Sequence, residues 1–258
     1  MGNVRLLGEH ISYSASPQMQ AGAFKALNLD HTYELADVPA AELRAAVAAL
    51  RQDGCLGANV TAPHKRAVME YLDEVEPLAA RAEAVNTIVS QNGRLIGSNT
   101  DVPAIADELR TLMPSPGRAV VLGAGGAAGA VRLALLSAGA KDTAFVSRST
   151  WSYLAPLVAK ADLIVNATPI GTTSEESPID QRHLHSGLAV LDLVYRPSPS
   201  RLVREAHECG LQARGGAGVL LGQGWRSLEA WLGDPVDGDV KDAMADALRR
   251  ELGPEADV

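Results

Sequence analysis

Aromatic side chains make up only 4% of this sequence, and cysteine occurs twice, at Cys55 and Cys209. So few rings mean that a core must be filled by Ala, Val, Leu and Ile. Two distant cysteines exclude a C-x-x-C redox or metal motif and a disulfide framework, and both are expected to be small buried hydrophobes. The six histidines fall at no ligand spacing, so no metal site is read. No apolar run is long enough to cross a bilayer, and there are no internal repeats or low-complexity tracts. The N-terminus lacks the basic-then-apolar layout of a signal peptide, which makes the cytoplasm the expected location. A net charge of −8 argues against nucleic acid and an anionic membrane surface as partners.

What is present is enough apolar sequence, 47% of 258 residues, for two domains of ordinary size. The chain is organised around the stretch from Arg118 to Ala130. Ala119 to Leu122 is an all-apolar run of the kind buried on both faces of a parallel sheet. Gly123-Ala124-Gly125-Gly126-Ala127-Ala128 follows at once, a G-x-G-x-x-A pattern in strand-turn-helix context. Gly123 permits the tight turn, Gly125 lets the backbone approach a pyrophosphate, and Ala128 lets the next helix pack closely. That helix, Ala127 to Ala138 with Gly139 as its stop, aims free N–H groups at the phosphates. The pattern points to a dinucleotide.

The next strand, about Thr143 to Ser147, should carry the residue that reads the adenosine ribose. It ends in Ser147-Arg148-Ser149, with Asp142 at the opposite end. A cation in place of a carboxylate suits a 2′-phosphate, so the chemistry favours NADP(H) over NAD(H).

Ahead of this loop the pattern is again βαβ. Strands are expected at Val4 to Leu7, His31 to Val38 and Leu56 to Val60, with a helix from Ala40 to Leu50 whose Leu43, Val47 and Leu50 form an apolar stripe. Ser16 reads as an N-cap with Pro17 in the first turn. Two hydroxyls, Ser14 and Ser16, beside a helix N-terminus could seat a carboxylate, though spacing alone favours capping and turning. Glu70 to Ala84 reads as one helix. A hairpin, Thr87 to Ser90 and Arg94 to Gly97, turns at Asn92-Gly93, and Asp101 reads as the cap of a helix running to Leu112.

Beyond the glycine loop, Trp151 to Lys160 reads as a short helix interrupted by Pro156. Leu163 to Asn166 and Leu188 to Val194 read as buried strands, followed by a helix through His207 and a last strand near Leu211. Two helices close the chain, Val219 to Leu232 and Val240 to Leu252. No strand is left for them to cover, so they are expected to pack on the first domain.

Taken in order, the motifs resemble the shikimate dehydrogenase family. They are Ser14-Ala15-Ser16-Pro17, Gly57 to Lys65, Ala84-Val85-Asn86-Thr87, Asn99-Thr100-Asp101, the glycine loop, Asn166-Ala167-Thr168-Pro169, Asp192 to Tyr195, and Gln223. The resemblance implies an α/β protein of two domains. Residues 1–100 with 218–258 would form the substrate domain, and 101–217 a Rossmann-like NADP domain. The implied reaction is reversible reduction of 3-dehydroshikimate to shikimate by NADPH, on the route to aromatic amino acids.

By the same resemblance, Lys65 and Asp101 form the catalytic pair. Ser14 and Ser16 hold the substrate carboxylate, while Asn59, Thr61, Asn86, Tyr195 and Gln223 hold or orient the rest of the substrate. Gly123, Ala124, Gly125, Gly126, Ala127, Ser147, Arg148, Ser149, Thr168, Leu193 and Gly216 meet the cofactor. A monomer or homodimer is implied. Hydride arriving at a carbonyl carbon leaves an alkoxide that needs a proton and a nearby positive charge, which explains a lysine held beside a carboxylate.

Three departures stand out. The segment between Arg148 and Asn166 is short, as though one strand and part of a helix were missing. A second basic residue after Arg148 is absent. Val102 stands where glycine is common. The competing readings are a quinate or quinate/shikimate dehydrogenase using NAD(P), and a non-catalytic dinucleotide-binding regulator.

Overall fold

The computed structural model describes residues 2–258. Met1, the first residue of the expected substrate domain, lies outside the described residues. Two units result. The first extends to Asp101 and takes in Leu221–Glu251, and the second comprises Val102–Leu220 and Leu252–Val258.

The first unit is built on β1 (Gly2–Gly8), α1 (Ser16–Ala26), β2 (His31–Asp37), α2 (Leu43–Ala49), β3 (Cys55–Val60), β4 (Glu74–Val75), α3 (Pro77–Ala82), β5 (Thr87–Gln91) and β6 (Arg94–Ser98). The strand order is β2-β1-β3-β5-β6-β4. β1 is parallel to both β2 and β3, while β5 is antiparallel to both β3 and β6. Leu43, Val47 and Leu50, the expected apolar stripe, are buried against Leu7, Val60 and Ile88. Asn92 and Gly93 both have positive φ, 53° and 75°, as a tight type I′ hairpin turn demands.

Two local expectations are corrected here. Glu70 to Ala84 is not one helix. A 3-10 turn over Ala67–Tyr71 is followed by β4, which pairs with β6, and then by α3. Asp73 decides this, since its backbone N–H donates to Leu95 O at 3.0 Å and its carboxylate accepts from Leu95 N at 2.7 Å. Those bonds commit the backbone to the sheet edge, and Glu76, as a residue before proline, is disfavoured in helix. Ser16 is not the N-cap of α1 either; that position is Ala15, with no side-chain cap.

From Asp101 the chain forms α4 (Asp101–Leu112), then β7 (Arg118–Leu122), α5 (Gly126–Ser137), β8 (Asp142–Val146), α6 (Leu154–Val158), β9 (Leu163–Asn166), β10 (Ala189–Asp192), α7 (Arg201–Glu208) and β11 (Ala213–Arg214). The five strands of the second unit are all parallel, in the order β11-β10-β9-β7-β8. Val120, Leu122, Ile164 and Val190 form its centre with Leu154, Val158 and Leu202. Between β8 and β9 there is only a 3-10 turn and α6, so β8 is an edge strand and Phe145 is exposed on it. The short segment noted in the sequence therefore leaves its mark on the sheet.

The helix expected from Trp151 to Lys160 is divided, a 3-10 turn coming before an α-helix that begins only at Leu154. Ser147 caps a 3-10 turn over Arg148–Tyr153 in a reciprocal capping box with Thr150. Pro156 does not interrupt α6, because it lies in the first turn, where its missing N–H has no partner to lose. The last strand, expected near Leu211, is at Ala213–Arg214, and Leu211 N–H itself closes α7 by donating to Ala206 O at 2.9 Å. The cysteines are not buried: Cys55 is half-buried and Cys209 exposed.

α8 (Ala217–Leu232) and α9 (Gly238–Leu252) complete the chain, and most of their length belongs to the first unit. Leu228, Trp231, Met244 and Leu248 are among their buried side chains. Among the described residues no helix is long and apolar enough to cross a membrane, and no group of three acidic, histidine or cysteine side chains could hold a metal ion.

Candidate active site

In the first unit, the loop after β3 carries Lys65 and the first residue of α4 is Asp101. Val85 N donates to Lys65 O at 2.8 Å, which ties the lysine backbone to the segment before β5. Lys65 Nζ donates to Asp101 Oδ2 at 2.7 Å, with the two side chains 18% and 11% exposed. The other carboxylate oxygen, Oδ1, accepts from Asn86 Nδ2 at 2.9 Å. Asn86 is oriented in turn, because its Oδ1 accepts from Thr100 N at 2.7 Å. The Asp101 carboxylate is thus held from both sides, by an ammonium and by an amide. An ammonium so placed and still reached by solvent can give a proton to an oxygen and take it back.

Other expected residues collect in the same unit. Ser14 and Ser16, both buried, stand at the start of α1, where Ser14 Oγ accepts from Ser16 N at 3.3 Å. Gln20, further along α1, donates to Gly224 O at 3.0 Å and so joins α1 to the turn of α8 that bears Gln223. Thr61 N donates to Leu7 O at 2.9 Å and places Thr61 at the end of β1 and β3. Asn59 differs from the rest in that its amide is used inside the fold. Its Oδ1 accepts from Tyr33 at 2.9 Å, and its Nδ2 donates to Asn86 O and Ser227 Oγ, each at 3.0 Å. Tyr195 belongs to the second unit, in the segment after β10.

In the second unit the parallel strands end on one row of loops. Gly123, at φ 117°, lies so close to the neighbouring loop that a Cβ would sit 2.8 Å from Ala167 O and 3.5 Å from Thr168 Cγ2. Ala124 and Gly125 are exposed. Gly125 is the N-cap of α5 without any side-chain cap, and a Cβ there would meet nothing within 4 Å. Gly126 and Ala127 open the helix, and Ala128 is buried beneath them. Open space in front of uncapped N–H groups is what a pyrophosphate needs, so these residues fit a dinucleotide. Ser147, Arg148 and Ser149 follow β8, next to β7, with Arg148 exposed.

Thr168 is positioned by a chain that residue spacing did not disclose. Its Oγ1 and backbone N–H donate to Asn166 Oδ1 at 2.6 and 3.0 Å. Asn166 Nδ2 donates to Asp192 Oδ1 at 2.9 Å, and Ser200 Oγ donates to Asp192 Oδ2 at 2.6 Å. Burial pushes the Asp192 carboxyl up to about 6, against the lowering pull of its bonds from Ser200, Val194 N and Asn166. Leu193 and Gly216 meet beside this group, where Gly216 N donates to Val194 O at 3.0 Å and a Cβ on Gly216 would lie 2.2 Å from Leu193 O.

Sequence reading placed Thr87, Thr100 and Asp192 in the motifs without a role, and it missed Ser200 and Ser227. For Ser227 a signal exists: it lies four residues after Gln223 on the same face of α8.

Comparison with known proteins adds to this geometry. A family model described as the shikimate dehydrogenase substrate binding domain matches residues 6–88. A protein of Symbiobacterium thermophilum named shikimate dehydrogenase (NADP(+)) is 40% identical over 264 residues, covering 90% of this chain and 90% of its own. One of the same name from Rubrobacter xylanophilus is 39% identical, covering 98% of this chain and 95% of its own. Among solved structures, shikimate 5-dehydrogenase of Thermus thermophilus, in complex with NADP(H) and shikimate, has a TM-score of 0.87 at 34% identity. The match covers 98% of this chain and 100% of the Thermus one.

Proposed function

We propose that this chain, which belongs to the shikimate dehydrogenase family, catalyses the reversible NADP-dependent reduction of 3-dehydroshikimate to shikimate. It is then an oxidoreductase acting on a CH–OH group. The observation that carries the reading is the 2.7 Å pair of Lys65 and Asp101, with Asn86 on the second carboxylate oxygen.

Bound NADPH supplies the hydride. Lys65 delivers the proton to the carbonyl oxygen as negative charge grows there, and takes it back when shikimate is oxidised. Asp101 holds the ammonium in place and accepts a hydrogen bond from the reacting hydroxyl. Ser14 and Ser16 take the substrate carboxylate, and Thr61, Asn86, Tyr195 and Gln223 take its hydroxyls and set the ring. Asn59 acts by holding Asn86 and Ser227.

For the cofactor, Gly123 to Ala127 cradle the pyrophosphate. Ser147, Arg148 and Ser149 hold the 2′-phosphate, while Thr168, Leu193 and Gly216 border the nicotinamide end. In this reading residues 1–100 with 218–258 form the substrate domain and 101–217 the NADP domain. The protein works in the cytoplasm as a monomer or homodimer, without nucleic acid or membrane. Following NADPH consumption with 3-dehydroshikimate tests the proposal. Turnover in the wild type and its loss in Lys65→Ala are expected, and a folded wild-type protein that consumes no NADPH overturns it.

A further inference from the structure

We propose that Ser227 is a positioning residue for this reaction, joining the helix turn that carries Gln223 to the amide that holds Asp101. The inference rests on the function proposed above and extends it to a residue outside the family motifs already quoted.

Ser227 is fully buried on α8, 127 residues along the chain from Thr100 and 140 from Thr87. Its oxygen has four polar neighbours: Gln223 O at 2.9 Å, Asn59 Nδ2 at 3.0 Å, Thr87 Oγ1 at 2.8 Å and Thr100 Oγ1 at 3.2 Å. Donor counting settles the direction of these bonds. A carbonyl only accepts and an amide N–H only donates. Ser227 therefore gives its one hydrogen to Gln223 O and accepts from Asn59 and, at the shortest distance, from Thr87. Thr100 then donates to Asn86 Oδ1 at 3.2 Å while accepting from Asn86 Nδ2 at 2.9 Å. The second N–H of Asn86 is left for Asp101 Oδ1 at 2.9 Å. The Asn86 amide has one orientation, with Oδ1 toward the Thr100 backbone N–H and Nδ2 toward Asp101.

Removal of the Ser227 oxygen breaks this order. The Thr87 hydrogen is left with Asn86 Oδ1 at 3.2 Å or Thr100 Oγ1 at 3.3 Å, and both atoms already take part in the bonds between Asn86 and Thr100. An Asn59 N–H loses its 3.0 Å acceptor and is left with Thr87 Oγ1 at 3.2 Å, and the turn bearing Gln223 loses its hydrogen bonds through Ser227 to Asn59 and Thr87. Buried polar groups with unmet or competing bonds rearrange, because leaving them unsatisfied costs more than moving them. The groups that move are the ones proposed to hold substrate and to steady Asp101, not those of the dinucleotide loop.

Ser227→Ala is therefore expected to raise the KM for shikimate about 5- to 10-fold and lower kcat about 5- to 10-fold, leaving the KM for NADP within about twofold. Thr87→Val in the same background should add less than about twofold, because the two hydroxyls act as one unit. Calorimetric titration with shikimate alone reads the binding part without turnover. A folded Ser227→Ala with unchanged KM for shikimate overturns the inference. So does an equal loss of apparent activity with every KM unchanged, the mark of a merely structural residue. Should Ser227→Ala not be recovered folded, Thr87→Val alone, which removes the shortest hydroxyl partner of Ser227, is held to the same criteria. A wild type that neither binds nor oxidises shikimate refutes the function itself, a result distinct from an insensitive variant of an active enzyme.

Discussion

Lys65 and Asp101, 36 residues apart in sequence, meet at 2.7 Å with the lysine the more exposed of the two. The carboxylate cannot swing away, because Asn86 holds its other oxygen. Lys65→Ala should lower kcat by roughly 10²–10⁴-fold while the shikimate dissociation constant changes only a few-fold. Asp101→Asn should lower kcat by about 10²-fold, since the amide no longer pairs with an ammonium. Steady-state rates beside calorimetric binding check both. A Lys65→Ala enzyme with near-normal kcat would show that the proton comes from elsewhere.

Arg148 stands exposed after β8 with no second basic residue following it in Ser147-Arg148-Ser149-Thr150. Arg148→Ala should raise the KM for NADPH about tenfold by removing a charge-assisted bond to the 2′-phosphate, and leave the weaker use of NADH nearly unchanged. The ratio of kcat/KM for the two cofactors, before and after substitution, is the measurement. Equal efficiency with NADH and NADPH in the wild type refutes the cofactor assignment.

Asp192 is a buried acid whose pKa in the folded protein, about 6, lies above its ordinary value of 3.8. Between those values the folded state holds a proton that the unfolded chain has released. Stability from this group is therefore greatest below about pH 4 and falls as pH rises through 6. The loss is on the order of 2–3 kcal/mol, at about 1.4 kcal/mol per pKa unit. Asp192→Asn cannot ionise, so the difference in unfolding free energy between wild type and variant should change across about pH 4–6 and level off above it. Urea unfolding at several pH values reads this, and a constant difference contradicts it.

Gly216 leaves no room for a side chain, since a Cβ would lie 2.2 Å from Leu193 O and 2.6 Å from its carbonyl carbon. Gly216→Ala must push the turn after β11 away from β10. A stability loss of about 1–3 kcal/mol is expected, together with weaker NADP binding and little change in shikimate binding to the protein alone. Thermal unfolding and two separate titrations test it; equal weakening of both ligands would show a global defect.

What the amino-acid order determined by itself was whatever depends on near neighbours. The apolar run before Gly123, the small residues at the start of α5, the Asn92-Gly93 turn and the stripe of Leu43, Val47 and Leu50 are each set by a few adjacent residues. All were legible for that reason. The meeting of Lys65 with Asp101 and the two-domain plan were legible only through the order of separated motifs, because nothing in the spacing of Lys65 and Asp101 brings them together.

The tertiary structure decided the remainder. Asp73 turned an expected helix into an edge strand by bonding to Leu95. Asn59 spent its amide on Tyr33 and Ser227, and Asp192 became a buried acid ordering Asn166 and Thr168. Hydrogen bonds across many residues of chain have no period and no fixed offset. They exist only once burial has removed water as the competing partner, and so they are settled by the folded molecule and not by any stretch of its sequence.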